Sequence, residues 1–583
     1  MTAHIVAFRR ILVCGLVLLI ARLAFLQLAQ GARYRTLAEQ NRLRLIPQPA
    51  PRGLLLDRTG QRLATSQEMF QISVVPQDLP RESGGASAQH PPADATWKPT
   101  RREIFQRLSA LVDKPTGELE RQFQANRSLP FVPVALARNI PKSLALRIEQ
   151  ERVFLPGVLV ESVVIREYPL GPVAAQLIGY VGKPSPETFP RLKQYGVRAN
   201  DFVGRAGLEQ KFDDVLRGRS GGSMIEVNHR ARQVRVIGYR EPVPGSPVSL
   251  TLDAGLQALI EGEFGDFPGA CVVLQPHTGE VLAIASSPRY DPGIFSTSQS
   301  AVIQAVMENT EAPLMNRATL GAYTPGSIVK PLIAMAALDH DLITPETTLN
   351  CPGFLQIGDR RFHCWNRDGH GPVSLREALM QSCNVYFMQV GRRLGLARLR
   401  KAFTSIGLGQ RVPWILEEVA GHLPGTRRFS EGEVALLGIG QSEILLTPLQ
   451  AAVLASALAN HGRLVKPWIV KAVDGREHAH APAPSLGWSA AHVNAVMQGM
   501  LAVVNDPLGT GMNAKSPRIT VAGKTGTAQT HVPDRPHAWF IGFCPAGNPK
   551  AAFAIVAEHG GSGGGLPAMM AKSICEYLTP ETS

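Results

Sequence analysis

The sequence predicts an α+β protein carried on one N-terminal transmembrane helix. Three observations lead there. One long apolar run lies near the start of the chain and no second run follows it. Helical patterns dominate residues 327–459, and strand patterns flank that stretch on both sides, so the sheet of one domain is built from distant parts of the chain. The chain has 583 residues, too many for one core, since single cores seldom exceed about 250–300 residues. These divide it into a cytoplasmic tip and anchor (1–30), an extended mixed α/β segment (31–245) and a C-terminal α+β domain (246–583).

Residues 11–28 are apolar apart from Arg22 and Gln27. Eighteen residues at 1.5 Å rise give about 27 Å, enough to span a bilayer core. Arg9 and Arg10 precede the run and predict an N-terminus inside, although Arg33, Arg35, Arg42 and Arg44 follow it. Arg22 is expensive in lipid and is expected to snorkel, with a partner helix as the alternative. A cleaved signal peptide is the rival reading, but no clear small-residue cleavage site follows. A single-pass anchor in the cytoplasmic membrane places everything after it outside the cytoplasm.

After the anchor, residues 34–44 are polar and helix-friendly until Pro47, Pro49 and Pro51 break the pattern. A strand and turn are expected from Gly53 to Gly60. Residues 81–100, rich in Pro, Gly, Ser and Ala, read as an exposed loop. Residues 101–119 and 142–150 read as helices, 156–182 as β, and 208–218 as a helix stopped by Gly218. A turn near Pro244 opens the C-terminal domain. A hairpin over 270–286 follows, then strands at 518–522, 538–543 and 551–556, and a closing helix over 568–578.

Composition narrows the partners. Hydrophobic residues make up 44% and charged residues 18%, an ordinary globular balance. The net charge of +13 favours anionic partners such as lipid head groups or acidic polymers. No Lys/Arg run with interleaved aromatics is present, so no nucleic-acid partner is expected. Seven unevenly spaced cysteines do not form a disulfide framework.

Three short motifs carry chemistry. Ser327-Ile328-Val329-Lys330 follows Pro325-Gly326 and opens an apolar helix, so Ser327 is expected at a helix N-terminus with Lys330 one turn on. A serine hydroxyl needs a base, a desolvated lysine can act as one, and free helix N–H groups can hold an oxyanion. Alone, such a match arises about once or twice by chance in a chain this long. The second motif, Ser382-Cys383-Asn384, falls in a helical stretch. The third, Lys524-Thr525-Gly526-Thr527, ends an apolar strand. The order and separation of the three carry the weight that none has alone.

With these residues the chain resembles class B penicillin-binding proteins, and among them the elongation type. The resemblance extends to Arg52-Gly53 with Asp57-Arg58, to Arg166-Glu167-Tyr168-Pro169 with Gly179-Tyr180-Val181-Gly182, and to Gly207-Leu208-Glu209. It continues through Asn316-Arg317-Ala318, Gly369-His370-Gly371, Thr447-Pro448-Leu449-Gln450 and residues 537–543. Asn384 stands where many elongation-type proteins carry Asp, and Gln176 where the family often has His. The resemblance implies a membrane-proximal pedestal over 31–245. Over 246–583 it implies a transpeptidase domain with a central antiparallel sheet and a helical subdomain. It also implies peptidoglycan D,D-transpeptidation, with β-lactams as inhibitors and a carboxypeptidase side activity. Ser327 would be the nucleophile, Lys330 the base, Ser382 and Lys524 the proton relay, and Asn384 a substrate contact. Thr525, Gly526 and Thr527 would bind the substrate carboxylate. A SEDS-family glycan polymerase and the elongation machinery would be the membrane partners. A septal-type transpeptidase, a β-lactamase or β-lactam sensor, and a non-catalytic scaffold remain as alternatives.

Cys351, Cys364, His370 and Cys383 lie within a short stretch and offer three thiols and an imidazole, the donor set of a structural zinc site. His363 is a rival ligand, and a Cys351–Cys364 disulfide or plain buried thiols are rival states. Elongation-type relatives resemble this pattern in carrying a metal here. Cys271, Cys544 and Cys575, on apolar elements, are expected to be inert thiols.

Overall fold

The structure is a computed structural model that describes residues 2–31, 43–80, 99–127, 130, 132–198, 201–228, 233–297, 300–530, 532 and 534–579. The loop expected over 81–100 and the polar stretch over 34–44 fall almost wholly outside these residues. Helix Thr2–Ala24 continues as a π turn, Phe25–Ala29. Residues Phe8–Ala29, with mean hydropathy 2.5, are long and apolar enough to cross a membrane.

The chain folds into two compact units that are discontinuous in sequence. One gathers 1–52, 66–165 and 217–245, and the other 53–65, 166–216 and 246–583.

In the smaller unit, Gly221–Val227 lies between Leu43–Gln48 and Gln233–Arg240, antiparallel to both. Strand Val134–Ile140 pairs antiparallel with residues of Arg62–Val74, and helices Arg101–Val112 and Thr116–Asn126 share a core with them through Ile104, Phe105, Leu119 and Phe123. The first helix starts at a capping box on Thr100 and Glu103. The single helix expected over 101–119 is thus two. Asp113 takes φ 52°, and Pro115, which cannot donate into a helix interior, follows it. The β pattern over 156–182 is interrupted: strand Val158–Glu167 is followed by helix Ala175–Ile178 and then by a short strand, Val181–Gly182.

The larger unit is built on a five-stranded antiparallel sheet in the order Val281–Ser287, Gly269–Leu274, Ala551–Ala557, His537–Cys544, Ala522–Ala528. Both faces are buried, which explains the near-continuous apolar runs. Side chains alternate between the faces. Ala270, Val272, Ile541, Ala552 and Ala554 share one core with the wholly buried helix Pro448–Ala459. Cys271, Val273, Phe540, Phe553 and Ile555 share another with helices Ala254–Glu263 and Leu566–Leu578. Strand 518–522 of the sequence reading is displaced, since the observed strand begins at Ala522. Cys544 and Cys575 are not inert thiols: they form a disulfide that ties the closing helix to its neighbouring strand. Their separation of 31 residues concealed the pairing, which the packing of helix on strand creates.

The motif residues of the first half converge within this unit. Arg166 Nε donates to Glu209 Oε1 at 2.6 Å, and Nη1 donates to Gly53 O at 2.7 Å. Gly179 and Gly207 both take positive φ, and a Cβ on either would strike the backbone of the other segment, so only glycine permits this approach. Both side chains of the Arg166–Glu209 pair are buried. Removing one partner leaves an uncompensated charge, so Glu209→Ala is expected to destabilise this unit by about 3–5 kcal/mol. Denaturant unfolding of the purified protein measures it.

Candidate active site

Ser327 lies on a 3-10 turn, Gly326–Val329, that runs into helix Lys330–Asp339. Two glycines set the turn. Gly326 takes φ +56°, where a Cβ would meet Thr527 O, and Gly440, whose carbonyl accepts from Gly326 N at 2.9 Å, also takes positive φ. Ser327 is half-buried, and its hydroxyl makes no hydrogen bond among the described residues.

Ser382-Cys383-Asn384 does not lie inside a helix, as the sequence suggested. It is the break between helices Leu375–Met380 and Asn384–Ser405, with Ser382 at φ 53° and Cys383 as the N-cap of the second helix. The break turns the Ser382 hydroxyl toward two buried amines. Lys330 Nζ donates to Ser382 O at 2.9 Å, Ser382 Oγ at 3.3 Å and Asn384 Oδ1 at 2.8 Å. Lys524 Nζ donates to the same Ser382 Oγ at 2.9 Å and to Thr525 O at 2.8 Å. All three donors of Lys330 are thus directed at this segment, and it forms no hydrogen bond with Ser327.

Both lysines are fully buried. Burial pushes Lys330 down to about 8, against the pull of thiol charge on Cys383 and Cys364. Burial, then the charge of Lys330, holds Lys524 well below the usual amine range. Two ammonium ions sharing one hydroxyl repel each other, so the pair favours carrying at most one charge near neutral pH. Near neutral pH Lys524 is therefore the uncharged amine on the Ser382 hydroxyl, and Lys330 loses its proton as pH rises through about 8.

Lys524 to Thr527 lie on Ala522–Ala528, the edge strand of the sheet, paired on one side with His537–Cys544. Gly526 is required because a Cβ there would press on Ile328 and Pro325 O, in the segment bearing Ser327, and on Trp539 of the neighbouring strand. Thr525 is buried and its hydroxyl meets Thr510 Oγ1 at 2.6 Å, while Thr527 is exposed. Thr510 escaped the sequence reading; its only signal was its place between Gly509 and Gly511.

Two small strand pairs hold Cys351 and flank Cys364 and His370 within a region expected to be helical, and Cys383 caps the helix that follows. Leu349–Cys351 pairs with Gly371–Val373, and Phe354–Ile357 with Arg360–His363. Strands of three or four residues are too short to register as a period. Cys351 Sγ and Cys364 Sγ lie 3.5 and 3.6 Å from His370 Nδ1. The ligand atoms of Cys351, Cys364, His370 and Cys383 all fall within 4.8 Å of one another. A tetrahedral zinc with ordinary Zn–S and Zn–N lengths sets those S···N edges at about 3.6 Å, so the residues fit the ion. His363, exposed on its strand opposite Phe354, does not join the cluster. Cys351 and Cys364 are unpaired thiols, not a disulfide. A hydrogen bond from Cys383, aided by the N–H groups of Asn384 and Val385, holds Cys364 low, and the same contact pushes Cys383 up. Asn384 N donates to Cys364 Sγ at 3.4 Å, which joins the cluster to the catalytic break.

A buried nucleophile turn, a lysine pair on a serine relay and an open strand edge define a serine acyl-transfer site of the penicillin-binding type. Residues 269–576 match the model of the penicillin binding protein transpeptidase domain, and residues 47–250 match the penicillin-binding protein dimerisation domain. The chain belongs to the penicillin-binding protein transpeptidase family. It is 31% identical over 613 residues to the peptidoglycan D,D-transpeptidase MrdA of Escherichia coli strain K12, covering 98% of this chain and 93% of that protein. The penicillin-binding protein 2 of Helicobacter pylori, solved in complex with MreC, matches with TM-score 0.76 at 26% identity, covering 92% of this chain and 99% of that one. A chain from a structure titled as a peptidoglycan synthase complex that coordinates polymerization and crosslinking matches with TM-score 0.72 at 28% identity over the whole of both chains.

Proposed function

We propose that this protein is an elongation-type peptidoglycan D,D-transpeptidase that crosslinks stem peptides through an acyl-enzyme on Ser327. One observation carries the reading: Lys330 and Lys524 converge on the Ser382 hydroxyl beside Asn384. The Ser327 hydroxyl attacks the carbonyl between the two terminal D-alanines, and its proton passes to neutral Lys330. Backbone N–H groups of Ser327 and Thr527 hold the developing oxyanion. Ser382 gives its proton to the departing D-alanine amine and is resupplied by the amine pair. An acceptor amine from a second stem peptide then displaces Ser327 Oγ, which takes back a proton. The open edge of Ala522–Ala528 suits an extended peptide, which can pair with the strand while its carboxylate meets Thr525 and Thr527.

Cys351, Cys364, His370 and Cys383 would hold one zinc. It would supply no reaction step; bound, it would clamp the first turn of Asn384–Ser405 and with it Ser382 and Asn384. The helix over residues 8–29 would anchor the protein in the cytoplasmic membrane with its N-terminus inside, as Arg9 and Arg10 suggest. The Cys544–Cys575 disulfide suits an oxidising compartment outside the cytoplasm. A SEDS-family polymerase and an MreC-like protein would be its partners; a relative solved with MreC supports the second, and a relative in a complex that couples polymerization to crosslinking supports a polymerising partner.

Intact-mass measurement after penicillin treatment tests the assignment. One penicilloyl adduct per chain is expected, and none on Ser327→Ala. An adduct that persists for many minutes marks a transpeptidase, and one lost within seconds marks a β-lactamase. Labelling of Ser327→Ala at the wild-type level would refute the nucleophile.

A further inference from the structure

Among the described residues nothing hydrogen-bonds Ser327 Oγ, so its position is set by the backbone that carries it. That backbone is fastened by groups the reaction does not use. We infer that Glu558 is a positioning residue for Ser327, its carboxylate fixing the segment of residues 321–327 through Tyr323 and Arg317. The inference rests on Ser327 being the nucleophile.

Glu558 stands one residue past strand Ala551–Ala557. Its Oε1 accepts from Tyr323 OH at 2.6 Å and from Arg317 Nε at 3.0 Å. Arg317 opens the short helix Arg317–Leu320 and is itself fixed, Nη1 donating to Ala312 O at 3.1 Å and Nη2 to Glu311 O at 2.6 Å. Tyr323 lies four residues before Ser327 and is buried. Its backbone bonds both ways with Leu446, at 2.9 and 3.0 Å. Its ring stands edge-on to Trp539, and Trp539 Nε1 donates to Thr324 O at 3.1 Å. Gly321 leaves room for the phenol, because a Cβ there would strike Tyr323 OH.

The carboxylate thus ties three pieces together: the end of a central strand, the Asn316–Arg317 turn and the loop into the nucleophile. An ionised carboxylate is a directional acceptor for two donors at once, and the guanidinium neutralises its charge. Loss of either link leaves the chain folded through its backbone bonds but frees the loop to shift. A displacement of about 1 Å at a reacting atom can lower a rate about a hundredfold.

The test measures acylation of the full-length protein in detergent by a fluorescent penicillin, over a range of concentrations. The rate constant at saturation is separated from the pre-acylation affinity and from the fraction finally labelled. Tyr323→Phe and Glu558→Ala are each expected to lower the saturating rate constant by roughly ten- to a hundredfold. Affinity and final labelled fraction stay at wild-type values. Glu558→Gln falls between, because its amide oxygen still accepts from Tyr323. The double variant Tyr323→Phe/Glu558→Ala is no slower than Glu558→Ala alone, as expected for two groups acting as one unit. Rate constants within about twofold of wild type for both single variants, or losses that multiply in the double variant, would overturn the proposal. So would a loss confined to the labelled fraction, because that marks a purely structural role. Ser327→Ala is measured in parallel: if it still labels, the nucleophile assignment fails instead, whatever the variants' rates.

Discussion

Lys330→Met lowers acylation by penicillin by about 10²–10⁴-fold, the range lost when a positioned general base is removed. Methionine suits the volume and the dry surroundings of a fully buried side chain, so the fold is expected to survive. What disappears is a buried amine held against three acceptors: Ser382 O, Ser382 Oγ and Asn384 Oδ1. The pH dependence follows from the same burial. Only the uncharged amine accepts a proton, and burial holds Lys330 at about 8. Wild-type acylation should therefore rise about tenfold per pH unit below pH 8 and level off above it. The stability effect has a definite sign. Between about pH 8 and the ordinary value of 10.5 the unfolded chain binds the Lys330 proton and the folded chain does not, so stability rises with pH across that window. Below pH 8 both states carry the proton and the burial penalty is constant at about 3 kcal/mol. Stopped-flow acylation and thermal unfolding from pH 6 to 10.5 check both statements. A Lys330→Met protein that acylates at the wild-type rate would remove Lys330 from the mechanism.

Stripping metal from the cysteine cluster should lower both melting temperature and acylation rate. Four donors in tetrahedral range bridge three separate pieces of chain: strand Leu349–Cys351, the residues around Cys364 and His370, and the helix start at Cys383. A loss of about 3 kcal/mol at such a clamp corresponds to a fall in melting temperature of roughly 4 °C in a unit of this size. Acylation suffers because Cys383 stands between Ser382 and Asn384 and because Asn384 N rests on Cys364 Sγ. Added zinc should restore both properties, whereas magnesium, a hard oxygen-seeking ion, should not. A Cys364→Ser variant should show the same losses without chelator. The measurements are calorimetry, penicillin labelling and metal content of protein purified without chelators. Purified protein that holds no stoichiometric zinc, yet melts and acylates unchanged after chelation, would refute the site.

Much of this architecture was legible along the chain. The apolar run of the anchor, four of the five strands of the central sheet and the closing helix are local patterns, and each lies within a few residues of its observed bounds. Misplaced elements have separate local causes. The helix over 101–119 was broken by Asp113 and Pro115, where turn chemistry overrode a continuous amphipathic pattern. The strand pairs that carry Cys351, Cys364 and His370 were missed because no period can be read from three or four residues. Ser382 reads as mid-helix in the sequence because nothing local announces a left-handed residue that is not glycine. Thr510, Tyr323 and Glu558 belong to no short motif, and their importance lies wholly in what they touch.

The sequence by itself determined which chemical groups the protein carries and in what order: a hydroxyl after Pro-Gly, two lysines, a serine–asparagine pair, three thiols and an imidazole. It also determined which segments would bury themselves, because helical and strand periods are properties of neighbouring residues. Only the tertiary structure decided that Lys330 and Lys524 share the Ser382 hydroxyl across 52 and 142 residues of chain. Only it decided that Cys544 meets Cys575, and that the cluster of thiols closes on His370 and not on His363. Such meetings depend on sheet register and helix packing, which are set by the whole core at once and leave no periodic trace in any one segment.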